Sequence, residues 1–284
     1  MLRSIIGRPD HRDDDHDQHD DHGGLHRDLL STNAAMDRRS ALRAAAKLGA
    51  LSLIACAADA GSALTGDTGT SSSSGTACAT RVPQETAGPY PGDGSNGANV
   101  LNQTGVVRQD IRSSFAGLSG TAAGVPLALE LTLVSASTCA PLADYAVYVW
   151  HCDRAGNYSL YTSAALNQNY LRGVQAADAN GKVTFTSIFP GCYSGRWPHI
   201  HFEVYSNLAA ATKVSNKIAT SQIALPKATC DLVYATTGYD ASVRNLASIS
   251  LASDNVFSDG ASLELATCSG NVAAGITAAL TVGI

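Results

Sequence analysis

The residues able to do chemistry are unevenly placed along this chain of 284 residues. Five of the eight histidines, His11, His16, His19, His22 and His26, fall in the first 26 residues at irregular intervals that specify no coordination geometry. The remaining three are His151, His199 and His201. Two of them lie in Pro198-His199-Ile200-His201-Phe202-Glu203-Val204, a stretch rich in β-branched and aromatic residues. In an extended strand residues i and i+2 share a face, so the two imidazoles point one way while Ile200, Phe202 and Val204 point into a core. Paired imidazoles make half of a metal site. The pattern alone also fits two surface histidines. Two tyrosine-bearing loops add to it. Gly156-Asn157-Tyr158-Ser159 follows a strand ending at Trp150-His151, and Pro190-Gly191-Cys192-Tyr193-Ser194-Gly195-Arg196 leads straight into the histidine strand.

With these loops the chain resembles the intradiol ring-cleavage dioxygenases, the family of the protocatechuate and catechol dioxygenases. The matching text runs from Val149 to Ser159, then Phe189 to Tyr193, then Arg196-Trp197-Pro198-His199-Ile200-His201. Earlier landmarks are Glu85-Thr86-Ala87-Gly88-Pro89-Tyr90 and Val107-Arg108-Gln109-Asp110-Ile111-Arg112. The resemblance implies Tyr158, Tyr193, His199 and His201 as ligands of one non-haem iron(III), with a small aromatic diol and O2 as substrates and a muconate-type diacid as product. It implies that Tyr193 leaves the metal and acts as a base. It matches Arg196 to an active-site arginine whose charge stabilises negative charge on the substrate ring, and, across a longer interval than usual, Gln222 to an active-site glutamine.

Physical chemistry is consistent with that ligand set. Holding a tyrosine as phenolate at pH 7 costs about 4 kcal/mol against its free pKa of about 10, which a trivalent cation supplies. Two phenolates and a hydroxide balance the 3+ charge. Zinc would more usually recruit Cys, His and carboxylate. For Tyr161, Tyr170 and Tyr205 aromatic packing is the expectation, and for His151 a packed or hydrogen-bonded histidine. Arg196 also fits a surface salt bridge. Cys152 and Cys192, flanking the tyrosine loops, are candidates to pair and brace the site, and Asp231 reads as structural.

Positioning such a site requires rigid strands. Leu127, Leu129, Leu131 and Leu133 alternate with period two, and Tyr145 to His151, Gly181 to Ile188, His199 to Ser206, Ile218 to Ala224 and Ile276 to Ile284 supply further strands. No long amphipathic helix stands out. The expectation is an all-β fold, a β-sandwich of mostly antiparallel strands with long functional loops, over residues 81–284.

The segments before it read differently. Residues 1–35 form a His/Asp-rich extension with too little apolar surface to order. Residues 36–56 resemble a twin-arginine signal, with Arg38-Arg39 before an apolar run ending in a lipobox-like Leu53-Ile54-Ala55-Cys56. Residues 57–80 are a Gly/Ser/Thr-rich linker. These features predict export by the twin-arginine route to the periplasm, or anchoring through lipid on Cys56. Cys78, Cys139, Cys152, Cys192, Cys230 and Cys268 permit disulfides in that compartment without specifying pairs. A net charge of −5 and the lack of a basic patch argue against nucleic acid. Two rival readings remain at this point. One is a catalytically inactive, lipid-anchored β-sandwich binding protein, the other a zinc-dependent hydrolase, which would be colourless.

Overall fold

The computed structural model describes residues 79–284. The extension, the signal-like segment with Cys56, and the linker with Cys78 lie outside the described residues. Among the described residues eight strands form two four-stranded sheets: β1 (Pro126–Val134), β2 (Ala146–Trp150), β3 (Arg172–Ala176), β4 (Lys182–Ile188), β5 (His199–Tyr205), β6 (Ala219–Ala224), β7 (Thr267–Asn271) and β8 (Gly275–Gly283). One sheet has the order β4-β1-β8-β7 and the other β3-β2-β5-β6. Every pairing is antiparallel except that of β1 with β8. The expected β-sandwich is present.

The first sheet follows its alternation. Leu127, Leu129, Leu131 and Leu133 are buried while the residues between them are half-exposed. They pack with Val183 and Phe185 of β4 against Val147, Val149, Ile200, Phe202, Val204 and Ile223 of the second sheet. Burying each of these side chains contributes about 2 kcal/mol relative to leaving it in water.

The second sheet departs from simple alternation. Strands β2, β5 and β6 are buried at every position. Their outward side chains, Ala146, Tyr148, Trp150 and Tyr205 among them, form a second cluster with Val100, Leu101, Val106 and Tyr158 from the loops. A sheet covered on both sides carries no polar stripe. The histidine face is therefore an interior surface roofed by loops. Residues 107–112 tie the two sheets together, with Arg108 N–H donating to Val174 O on β3 and Ile111 N–H to Thr186 O on β4.

Strands β3 and β7, and two helices, α1 (Lys227–Tyr234) and α2 (Asp240–Ala247), were not anticipated from the sequence. Arg172-Gly-Val-Gln-Ala and Thr267-Cys-Ser-Gly-Asn carry no period-two pattern, and two helical turns are too few for a helical period to register. Helix α1 nevertheless sends Cys230, Val233 and Tyr234 into the main core. No helix among the described residues is long and apolar enough to cross a membrane.

Candidate metal centre

Strand β5 presents His199 and His201 on the loop-covered face, with their Nε2 atoms 3.1 Å apart. His199 Nδ1 lies against Trp197 O, which can only accept, so Nδ1 carries the proton and Nε2 presents its lone pair to the site. His201 stacks on Trp150, its register partner on β2, with ring centroids 4.8 Å apart and planes 6° from parallel. Its Nδ1 is buried without a hydrogen-bond partner. Burial, together with the nearby Arg196, pushes the His199 imidazole down to about 3. Burial and the adjacent His199 hold His201 well below the ordinary imidazole range. Both rings are neutral at pH 7, the form that ligates metal.

The tyrosine hydroxyls arrive from two loops. Tyr158 OH lies 3.4 Å and Tyr193 OH 3.3 Å from His199 Nε2. Four polar atoms of four residues thus gather around one point. The single lone pair of His199 Nε2 cannot satisfy three neighbours, so hydrogen bonding alone does not account for the cluster. Donors about 2.1 Å from a common ion lie about 3.0–3.4 Å apart. The spacing fits a metal. Among the described residues no group of three or more His, Cys, Asp or Glu could hold a metal. A metal at this point would be held by the two imidazoles together with the two phenols, hard oxygen donors that favour a trivalent ion.

Local hydrogen bonds shape these loops. Asp153 Oδ1 accepts from the N–H groups of Ala155 and Asn157, each at 2.9 Å, curling the chain ahead of Tyr158. Gly191 N–H donates to Asp153 O at 3.0 Å, clasping the second loop to the first. A Cβ on Gly191 would fall 2.6 Å from Arg154 O, so the clasp admits only glycine. Helix α2 holds the other side: Ser242 Oγ accepts from Cys192 N–H, and Asn245 Nδ2 donates to Cys192 O, beside Tyr193. Cys152 and Cys192 do not pair, contrary to the expectation that they brace the site. Both are buried free thiols, as is Cys230, while Cys139 is disulfide-bonded. Their thiols rest on backbone carbonyls, Cys152 on Gly191 O and Cys192 on Arg196 O, each at 3.4 Å. Bracing comes from the loop hydrogen bonds instead.

Arg196 is buried, not a surface ion pair. Its Nε donates to Asp254 Oδ2 at 2.9 Å and its Nη2 to Gln222 Oε1 at 2.7 Å. Gln222 is the register partner of His201 on β6, so Trp150, His201 and Gln222 form one row across three strands. Gln222 Nε2 donates to Thr86 O, linking the row to the Glu85–Tyr90 segment. The structure thus brings all the nominated residues, Tyr158, Tyr193, Arg196, His199, His201 and Gln222, into one connected region. Sequence reasoning missed Asp254, which sits in an irregular loop with no motif around it.

The residues assigned to packing stay outside this cluster. His151 bonds Cys152 O and Ser187 Oγ, each at 2.7 Å. Tyr161 OH donates to Asn96 Oδ1, Tyr170 OH to Asp153 Oδ2 and Tyr205 OH to Glu203 Oε2. Asp231 forms an exposed pair with Lys227 one helical turn away on α1. Arg172, also buried, donates to the carbonyls of Tyr90, Pro91 and Ser159 and to Ser159 Oγ. It pins the Tyr90 loop to the Tyr158 loop, and the Tyr90 ring lies 4.9 Å from that of Tyr158.

Residues 102–237 match the profile of a protein family described as "Dioxygenase". The match spans every nominated ligand, Arg196 and Gln222, and stops short of Asp254. An intradiol ring-cleavage dioxygenase from Tetranychus urticae is 22% identical, with a TM-score of 0.56, over 72% of this chain and 95% of that one. The dioxygenase domain of a dioxygenase and carbohydrate-binding protein fusion from Streptomyces sp. SirexAA-E is 20% identical, with a TM-score of 0.46, over 72% of this chain and 98% of that one. The first likeness shows a shared fold. No curated protein matches the chain.

Proposed function

We infer that this chain, which belongs to the intradiol ring-cleavage dioxygenases, uses iron(III) held by Tyr158, Tyr193, His199 and His201 to open a catechol-type ring between its hydroxyl-bearing carbons. The observation that carries the reading is the convergence of two phenol oxygens on a pair of facing imidazole nitrogens, within 3.1–3.4 Å of one atom. Bound iron(III) would supply Lewis acidity, chelating the diol as its dianion and activating the ring toward O2. Both atoms of O2 end in the product, a muconate-type diacid, so no external reductant is needed.

The chain's own residues divide the remaining work. Tyr158 is buried while Tyr193 is half-exposed, which supports Tyr158 as the permanent ligand and Tyr193 as the one that swings out and takes a proton from the incoming diol. Two phenolates also lower the net charge of the buried centre. The stack of Trp150 on His201 fixes that imidazole's plane. Arg196 adds a fixed cation beside the ligands, placed to stabilise negative charge building on the ring. Loops roofing the face exclude water from the reacting ring.

The test is the visible spectrum of iron-loaded protein, followed by oxygen uptake with a panel of catechols. Tyrosinate-to-iron(III) charge transfer gives a red-brown colour, and each turnover consumes one O2 per ring opened. A colourless iron-loaded protein would sink the proposal.

A further inference from the structure

We propose that Asp254 is a positioning residue that acts through Arg196, locking its guanidinium in the orientation the ring-opening step uses. The inference deepens the reading above and rests on it. Asp254 and Arg196 are 0% and 1% exposed and lie 58 positions apart in the chain. Asp254 Oδ2 accepts from Arg196 Nε at 2.9 Å and from Trp197 N–H at 2.7 Å. Its Oδ1 accepts from Val256 N–H at 2.8 Å, Phe257 N–H at 3.1 Å and, at 3.4 Å, Arg196 Nη2. Five donations use the carboxylate's lone pairs from both sides, so the group cannot rotate.

Two consequences follow from this geometry. The two-pronged contact fixes the guanidinium plane, leaving Nη2 directed at Gln222 Oε1. The same carboxylate holds the backbone N–H of Trp197, the residue whose own carbonyl receives the Nδ1 proton of His199. One buried anion therefore sets the arginine's orientation relative to the ligand histidine. Its charge also balances that of Arg196 beside the centre. Asparagine is the informative replacement. It retains a carbonyl oxygen for Val256 and Phe257, but its amide NH2 would oppose the N–H groups of Arg196 and Trp197.

The test is a double-mutant cycle on iron-loaded protein with Asp254→Asn, Arg196→Gln and the pair, reading kcat/KM, iron content and the charge-transfer band. Asp254→Asn is expected to lower kcat/KM about 10- to 100-fold with iron content and band retained, and to cost less than about twofold once Arg196 is already Gln. Additive losses, or a band lost in Asp254→Asn but kept in Arg196→Gln, would assign Asp254 to backbone support and overturn the proposal. Should Asp254→Asn not fold, Asp254→Glu keeps the charge and displaces it by one methylene. It is expected to lower kcat with the band unchanged, and an unaltered kcat overturns the idea. A parent protein with neither band nor turnover would instead defeat the iron reading itself.

Discussion

A Cβ added to Gly156 would lie 3.0 Å from the Cβ of Tyr193, tighter than side chains ordinarily pack. Gly156 also holds φ at +90°, where an L residue is strained. The two tyrosine loops can sit side by side because this position has no side chain. Gly156→Ala is expected to cost about 1–2 kcal/mol from the backbone conformation alone and to displace Tyr193 from His199. A lower melting temperature and reduced iron stoichiometry should appear together. Parent-like values of both would show that the loops adjust freely.

Removal of a ligand should be read out in colour before activity. Tyr158→Phe and His201→Ala are each expected to abolish the charge-transfer band and turnover, because three donors no longer balance or enclose the ion. Chelation of iron from the parent should lower its melting temperature, since ligand linkage contributes about 2.7 kcal/mol of stability at a free iron concentration 100 times Kd. Normal iron content and activity in either variant would refute that residue's assignment.

His151 makes the protein acid-sensitive. Burial pushes its imidazole from the ordinary 6.5 down to about 4, so the folded state keeps it neutral while the unfolded chain protonates it. Its contribution is complete above pH 6.5, declines as the pH falls, and is lost as the pH passes the folded value, a total of about 3 kcal/mol. Urea unfolding between pH 7 and 4 should show a weaker pH dependence in His151→Gln than in the parent. Identical slopes would place the acid sensitivity elsewhere.

Arg172 is a buried cation that donates to the carbonyls of Tyr90, Pro91 and Ser159, to Ser159 Oγ and to the Tyr148 hydroxyl on β2. Arg172→Met removes a donor from the carbonyls of Tyr90, Pro91 and Ser159, of which Pro91 O keeps the Tyr148 hydroxyl, and should cost about 3 kcal/mol. Proteolytic cleavage near residues 90–102 is expected to accelerate with it. Unchanged protection of that loop would mean that Arg172 does not hold it down.

Much of the candidate site was legible because it is written in short-range pattern. His199 and His201 share a face through the two-residue repeat of a strand, a geometry independent of the rest of the molecule. Glycines and prolines beside Tyr158 and Tyr193 mark loops for equally local reasons. The leucine alternation of β1 reported a face turned to the core. Strands β3 and β7 left no such mark, since partners and loops, not their own residues, make them strands.

The amino-acid sequence by itself determined which side chains could bind a metal and which face of β5 would carry two of them, since both follow from residue type and backbone period. Tertiary structure decided what surrounds them. The register that sets Gln222 beside His201, the loop that brings Asp254 to Arg196, the roof over the histidine face and the unpaired state of Cys152 and Cys192 all join segments distant in the chain. Such contacts arise only when packing of the whole sandwich fixes where each loop returns, and no local periodicity encodes them.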